Sequence, residues 1–500
     1  MNTITKYSIL PYQVQIKKDD QHSHQYYIPT LLFNETKYHS FIKMLKTKIL
    51  QKNGELDTTL MKLSQLMSYL RRIIDEQLTQ NQFKMNIKTE YLREWLIYKI
   101  LGLEQLMCLL IDDNIQEIYL DKPNSPLYID HTDYGRCLTN IILTSTDLQK
   151  FVSRLCLEKD TFINHSNPSL KAEIETRTFH IRATVDISPL AADGFSMNVR
   201  KLRRKIWTLP ELIANNTLTI EAASYLLFLL KRRNNFTFIG EPGSGKTTLA
   251  NAIDLLTAPQ WRKISIEEVI ESVDQKHFNR FQTRFLVTPF EKKSGQLTKS
   301  EEIIKLLHRS PDWVFLGEIQ TAEHSNALFE ALSAGLVGIQ TCHGRSIELM
   351  ISRWIQQHKI SPICILSLDL LIQVSIGFDN WQINRRVSRI AEIANSEQEK
   401  NPINQTDTEI NIIDIFQYDY HENKLVKCLD LYKTPLVNRI RSYENLSLKK
   451  FNLELEQIQK ILQYLVENQI YDLSNTLRYL SSILYNKLLT EQKKECVLSK

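Results

Sequence analysis

Residues 236–248 run Phe236-Thr237-Phe238-Ile239-Gly240-Glu241-Pro242-Gly243-Ser244-Gly245-Lys246-Thr247-Thr248, a G-x-x-x-x-G-K-[ST] phosphate loop. The apolar run Phe236 to Ile239 leads in as a buried strand does, and Leu249 to Leu256 leads out as a helix does. The glycines let successive backbone N–H groups turn toward a phosphate at the positive end of the following helix. Every residue from Gly240 to Thr248 is therefore a candidate nucleotide contact. Lys246 is placed to reach the β- and γ-phosphates, and the Thr247 hydroxyl to bind Mg2+. The cofactors this pattern asks for are a nucleoside triphosphate and Mg2+.

At 500 residues the chain is long for one hydrophobic core, and a prior of about 150 residues per domain gives three or four domains. With 43% hydrophobic and 24% charged residues it has the composition of a globular protein. The net charge of +5, and the lack of a distinct basic and aromatic groove, argue against a nucleic-acid partner. Cysteines 108, 137, 156, 342, 364, 428 and 496 are scattered and never form C-x-x-C, which indicates a reducing compartment and no zinc site. The first residues lack a signal-peptide pattern, and the most apolar later stretch, Ile363 to Ile376, is broken by Asp369 and Gln373. A cytoplasmic protein, peripheral to a membrane at most, is expected.

Outward from the loop, Tyr7 to Ile16 and Tyr26 to Phe33 read as short strands around a polar turn. Leu60, Leu63, Leu66, Met67, Leu70, Ile73 and Ile74 then keep helical spacing behind a possible Asp57 N-cap, and Tyr91 to Leu101 makes a helix that Gly102 ends. Strand patterns return at Gln116–Leu120, Leu127–Asp130 and Cys137–Leu143, with Asn124, Asp133 and Gly135 in the turns. Further strands are expected at Phe179–Val185 and Phe195–Arg200. The basic run Arg200-Lys201-Leu202-Arg203-Arg204-Lys205 follows, for which a solvated linker is the plain alternative to a binding role. Residues 206–395 alternate strand and helix signals as parallel α/β proteins do. Within them Ser310 to Glu318 is an apolar strand ending in a carboxylate about 70 residues past Lys246, where a Walker B element belongs.

Gly317-Glu318, followed by Ala331-Leu332-Ser333-Ala334-Gly335 and Gln340-Thr341-Cys342-His343-Gly344, resembles the Walker B and His-box series of the type II/IV secretion system ATPases. Ile264-Ser265-Ile266-Glu267-Glu268-Val269-Ile270-Glu271 resembles that family's acidic box, with Arg284 shortly after it, and Asn384-Arg385-Arg386 to Glu392 resembles the strand closing its motor domain. Arg182 and Arg200 fall where its N-terminal domain carries arginines. The resemblance covers about residues 105–395 and, lacking a four-cysteine module, favours the archaeal pilus and archaellum branch. It implies an α/β protein: a RecA-like P-loop NTPase motor domain preceded by an α/β, PAS-like N-terminal domain, with an extra N-terminal helical domain and a helical C-terminal tail. The expected divisions are 1–110, 111–205, 206–395 and 396–500. ATP as the nucleotide and a homohexamer working on a polytopic membrane platform protein are implied as well.

The catalytic candidates are Glu267, Glu318, His343, Arg182 and Arg200. Hydrolysis needs a carboxylate to orient water, and Glu267 ends its strand, with Glu268 beside it as the open alternative. Glu318 belongs with Thr247 on the metal. His343 is placed to sense the γ-phosphate, or else is a core histidine bonded to backbone. Arginines suit the spreading negative charge of phosphoryl transfer, so Arg182, Arg200 and also Arg203 are candidates to cover the nucleotide across a boundary. Gln320 departs from the family's arginine and His343 sits in Gln-Thr-Cys-His. Gln320 cannot make arginine's charge-assisted contacts, so intersubunit coupling is expected to differ. The polar stretch Ala394 to Glu409 reads as a linker, and Leu453 to Leu465 and Leu477 to Leu484 as helices that either dock a partner or pack on their own motor domain. The readings left open are a motor for pilus or archaellum assembly or protein export, a nucleic-acid translocase, and a nucleotide-gated scaffold.

Overall fold

The computed structural model describes residues 2–19, 24–52, 61–80, 89–202, 206–287, 298–379, 382–395 and 410–485. Asp57, Leu60, Arg203 and most of the expected linker, 396–409, lie outside them. The chain groups into two units. The first is Met1–Lys205 with Phe378–Ile383, and the second is Ile206–Gly377 with Asn384–Lys500.

The first unit is built on one nine-stranded sheet whose order is β1 (Asn2–Ile9), β2 (Tyr12–Lys18), β3 (Gln25–Leu31), β6 (Gly135–Ile142), β5 (Pro126–His131), β4 (Ile115–Leu120), β9 (Phe195–Lys201), β8 (His180–Ile187) and β7 (Ser169–Glu175). The pairs are antiparallel except β3 and β6, which run parallel from Gln25 opposite Cys137. The expected division at 110 does not exist, because strands from both sides of it share this sheet. The helices His39–Lys52, Leu63–Gln80 and Thr89–Leu101 form no separate helical domain: Leu45, Leu66, Leu70, Trp95 and Leu96 join one core with Val14, Ile118, Ile181 and Val199. Trp95 to Tyr98 are all buried, as in a helix covered on every side. Buried Asp112 fastens the N-terminal strands, accepting hydrogen bonds from Tyr7 Oη at 2.8 Å and Tyr27 Oη at 3.0 Å.

In the second unit the order is β12 (Gln282–Leu286), β11 (Lys263–Glu267), β13 (Trp313–Ile319), β14 (Gly338–His343), β10 (Phe236–Gly240), β15 (Leu370–Asp379), β16 (Gln382–Asn395), β17 (Ile410–Asp419) and β18 (Lys424–Lys427). The strands from β12 to β15 are parallel, and β17 runs antiparallel to β16 and β18. Helices cover both faces, as a parallel sheet requires. One face buries Leu226, Phe228, Ile253 and the C-terminal helices, and the other buries Ile303, Leu328, Met350 and Trp354. The expected division at 395 also fails, since β17 and β18 extend this sheet. The helices Leu448–Glu467 and Leu473–Tyr485 pack their stripe of Leu455, Ile458, Leu462, Leu477 and Leu480 on the motor core, which decides for the self-packing alternative. Leu453 departs from that stripe and is exposed.

Fully buried Glu392 on β16 anchors the C-terminal helices. It accepts from Tyr225 Oη and, at 2.8 Å, from the backbone N–H of Leu436 in the first turn of the helix Pro435–Glu444. Burial is the largest influence on its carboxyl and pushes it up to about 7. The folded chain therefore keeps a proton that the unfolded chain releases above the usual carboxylate range, so stability falls as pH rises toward 7 and levels off beyond. The full effect is on the order of 3 kcal/mol. Glu392→Gln is expected to flatten the dependence of thermal unfolding on pH between about 5 and 8 and to unfold later than the parent at pH 8.

Candidate phosphate-loop site

The loop stands where three parallel strands end side by side. β14 lies between β10 and β13, with Gly240 opposite His343 and Glu318 opposite Thr341. The register shifts between Leu316 and Glu318, so Gly317 is a bulge that re-aims Glu318. A Cβ on Gly317 would come 3.1 Å from Glu267 Cγ, which accounts for glycine before the single glutamate. Gly243 and Gly245 have φ of +76° and +95°, the left-handed conformation that favours glycine, and Gly245 caps the helix Lys246–Asp254.

Lys246 is only 6% exposed. Its Nζ donates to the carbonyls of Gly240 at 2.8 Å and Glu241 at 2.9 Å and lies 3.3 Å from His343 Nδ1. Because an ammonium only donates, Nδ1 accepts and Nε2 carries the imidazole proton. That Nε2–H faces the Glu318 carboxylate, a contact of a neutral imidazole rather than an ion pair. Lys246, His343 and Glu318 thus form one continuous chain of contacts, and His343 is no core histidine bonded to backbone alone. Gln320 Nε2 donates to the other oxygen of Glu318, so this departure from the family falls directly on the Walker B carboxylate.

Glu267 is 1% exposed and tied down by the backbone N–H groups of Glu271 and Ser272, at 3.0 and 2.9 Å, and by the Ser272 hydroxyl. Burial raises its pKa against those bonds. Glu268 points elsewhere, with Oε1 3.8 Å from Lys299 Nζ and 3.9 Å from His324 Nε2. Arg284 pairs with Asp274 at 2.6 Å. Arg182 and Arg200 belong to the first unit, opposite one another on β8 and β9, flanked in the same cross-strand row by Glu173 on β7 and Glu117 on β4.

Two residues of this site escaped the sequence reading. Arg385 Nε donates to the Gly243 carbonyl at 2.8 Å, and its Cδ lies 3.6 Å from where a Cβ on Gly245 would be. Its only sequence signal was a place in the closing strand. Lys299 gave no signal beyond the capping pattern Thr298-Lys299-Ser300-Glu301.

A triphosphate fits the loop. Ser244 Oγ is buried without a hydrogen-bond partner, and the helix N-terminus and Lys246 face the same loop. For Mg2+, no group of three or more His, Cys, Asp or Glu that could hold a metal occurs among the described residues. A hydroxyl and a carboxylate, Thr247 and Glu318, suit an ion that takes its remaining ligands from phosphate and water.

The second unit is thus a RecA-like phosphate-loop α/β domain. The chain belongs to the type II/IV secretion system protein family, whose model matches residues 101–373. An uncharacterized protein of Methanocaldococcus jannaschii is 26% identical over 273 residues, covering 52% of this chain but only 37% of the relative. The type IV secretion system protein PtlH of Bordetella pertussis is 25% identical over 273 residues, covering 50% of this chain and 79% of PtlH. Among solved structures, the VirB11 ATPase of Brucella suis is 21% identical, with a TM-score of 0.30, over 58% of this chain and 93% of that one. The ATPase DotB of Legionella pneumophila is 13% identical, with a TM-score of 0.45, over 81% and 95%.

The loop's packing sets a graded expectation. A Cβ on Gly240 would meet the Val374 carbonyl at 2.3 Å, whereas the nearest atom to one on Gly317 is Glu267 Cγ at 3.1 Å. Gly240→Ala is expected to destabilise by about 1–3 kcal/mol in thermal unfolding, and Gly317→Ala by less than about 1 kcal/mol.

Proposed function

We propose that this chain is the Mg2+-dependent ATP-hydrolysing motor of a type II/IV secretion-like system that powers pilus or archaellum assembly or protein export at a membrane. The observation that carries the reading is the unbroken contact from Lys246 through His343 to Glu318, which puts the phosphate loop, the His-box and the Walker B strand end into one site. Membership of the family and the likeness to PtlH support the secretion context.

In this reading Lys246 exchanges its loop carbonyls for the β- and γ-phosphates, while the loop N–H groups orient them. Thr247 and Glu318 would hold a magnesium ion, which when bound would offset charge on the phosphate oxygens. Glu318 would then give up its contacts with His343 and Gln320, a change that His343 would register. Glu267, once released from Glu271 and Ser272, is the candidate to orient water, and Arg182 and Arg200 are candidates to meet the developing charge across a domain or subunit boundary. A homohexameric ring would supply such boundaries, with a polytopic membrane protein as the platform. No helix among the described residues is long and apolar enough to cross a membrane; peripheral attachment at the cytoplasmic face is part of this proposal.

Phosphate release from ATP tests the reading. The parent protein is expected to turn over only with a divalent cation, and Lys246→Ala and Glu318→Gln are each expected to lower kcat by about 100-fold or more. A parent protein that binds ATP without hydrolysing it would favour the scaffold, and turnover stimulated by DNA in a salt-dependent way would favour the translocase.

A further inference from the structure

Lys299 opens the helix Lys299–Lys305, behind a Thr298–Glu301 capping box. The place is unfavourable twice over for a lysine: the N-terminus of a helix disfavours positive charge, and the side chain is 1% exposed. Something must offset that cost, and it is the acidic half of the nucleotide site. Lys299 Nζ donates to the main-chain carbonyl of Glu318 and lies 3.8 Å from Glu268 Oε1. Burial, the largest influence, lowers its pKa, and Glu268, Glu318 and Glu267 oppose that, in that order. His324 shares Glu268 Oε1 at 3.9 Å, but burial pushes its imidazole down to about 4, so at neutral pH it brings no charge. Lys299 is therefore the charged partner of Glu268.

The geometry joins two strand ends. Glu268 follows the last residue of β11, and Glu318 stands at the bulged end of β13. We propose that Lys299 is a positioning residue for hydrolysis, its ammonium holding Glu268 and the carbonyl of Glu318 together so that the carboxylates of both strand ends keep a fixed spacing. The proposal rests on reading the site as a nucleotide hydrolase. It separates turnover from affinity, because Lys299 touches the carboxylate side of the site while Lys246 and the loop hold the phosphates.

The test is a double-mutant cycle with Lys299→Met, Glu268→Gln and the pair, following kcat for ATP, the Kd of a fluorescent ADP analogue and thermal unfolding. Each single change is expected to lower kcat about tenfold or more with Kd within about threefold, and the double variant to fall no further than the worse single one. Should Lys299→Met fail to fold, Glu268→Gln at the more accessible end of the contact carries the kcat-against-Kd comparison alone. Losses in kcat that multiply in the double variant, or a kcat within about twofold of the parent in either single variant, overturn the proposal. A parent protein without turnover instead overturns the hydrolase reading on which it rests.

Discussion

The second unit depends on a topological constraint: β14 enters between β10 and β13, all three run parallel, and all three end at the same edge. Ligands of open α/β sheets gather at such carboxyl ends because the chain there turns from strand to helix and leaves polar groups without ladder partners. Here the central strand ends in His343, with a lysine on one side and a glutamate on the other. A neutral imidazole both accepts and donates, so it can join those two groups without adding a charge of its own. The glycines at 240, 243, 245 and 317 serve this arrangement, two by close approach and two by left-handed backbone.

Away from that edge the unit is tied by buried polar contacts. At the C-terminal end of the phosphate-loop helix, Asp254 accepts from Trp313 Nε1 at 2.9 Å and from Lys263 Nζ at 3.1 Å, where burial pushes the ammonium down to about 8. The helix is thus fixed to the beginnings of β11 and β13, the strands that end in Glu267 and bulge at Gly317. On the far side β16 carries Arg385 against the loop near its start and Glu392 against the C-terminal helices near its end.

How much of this was legible in the sequence follows from how local each signal was. The phosphate loop, the Walker B strand and the turns at Asn124 and Gly135 rest on backbone chemistry that a few neighbouring residues specify, and Asn124 does take a positive φ of 58°. The divisions at 110 and 395 went wrong because sheet membership is decided by distant pairing: nothing near Gln25 announces Cys137, and nothing near Ile410 announces Asn395. Glu267 and Glu268 were indistinguishable as an acidic run, and only the fold turns one to Ser272 and the other to Lys299. Lys299 itself looks like any surface lysine at the start of a short polar helix.

The row Glu173, Arg182, Arg200, Glu117 crosses four strands of the first unit. Two like charges directly opposite one another repel, and a carboxylate at each end relieves that repulsion. In sum the row carries no net charge, yet its positive charge sits in the middle. Beyond roughly 10 Å its opposite charges largely cancel in physiological salt, and at short range Arg182 is already engaged, 3.8 Å from Glu173 with its side chain 14% exposed. This sheet face thus sets its two arginines side by side between two carboxylates.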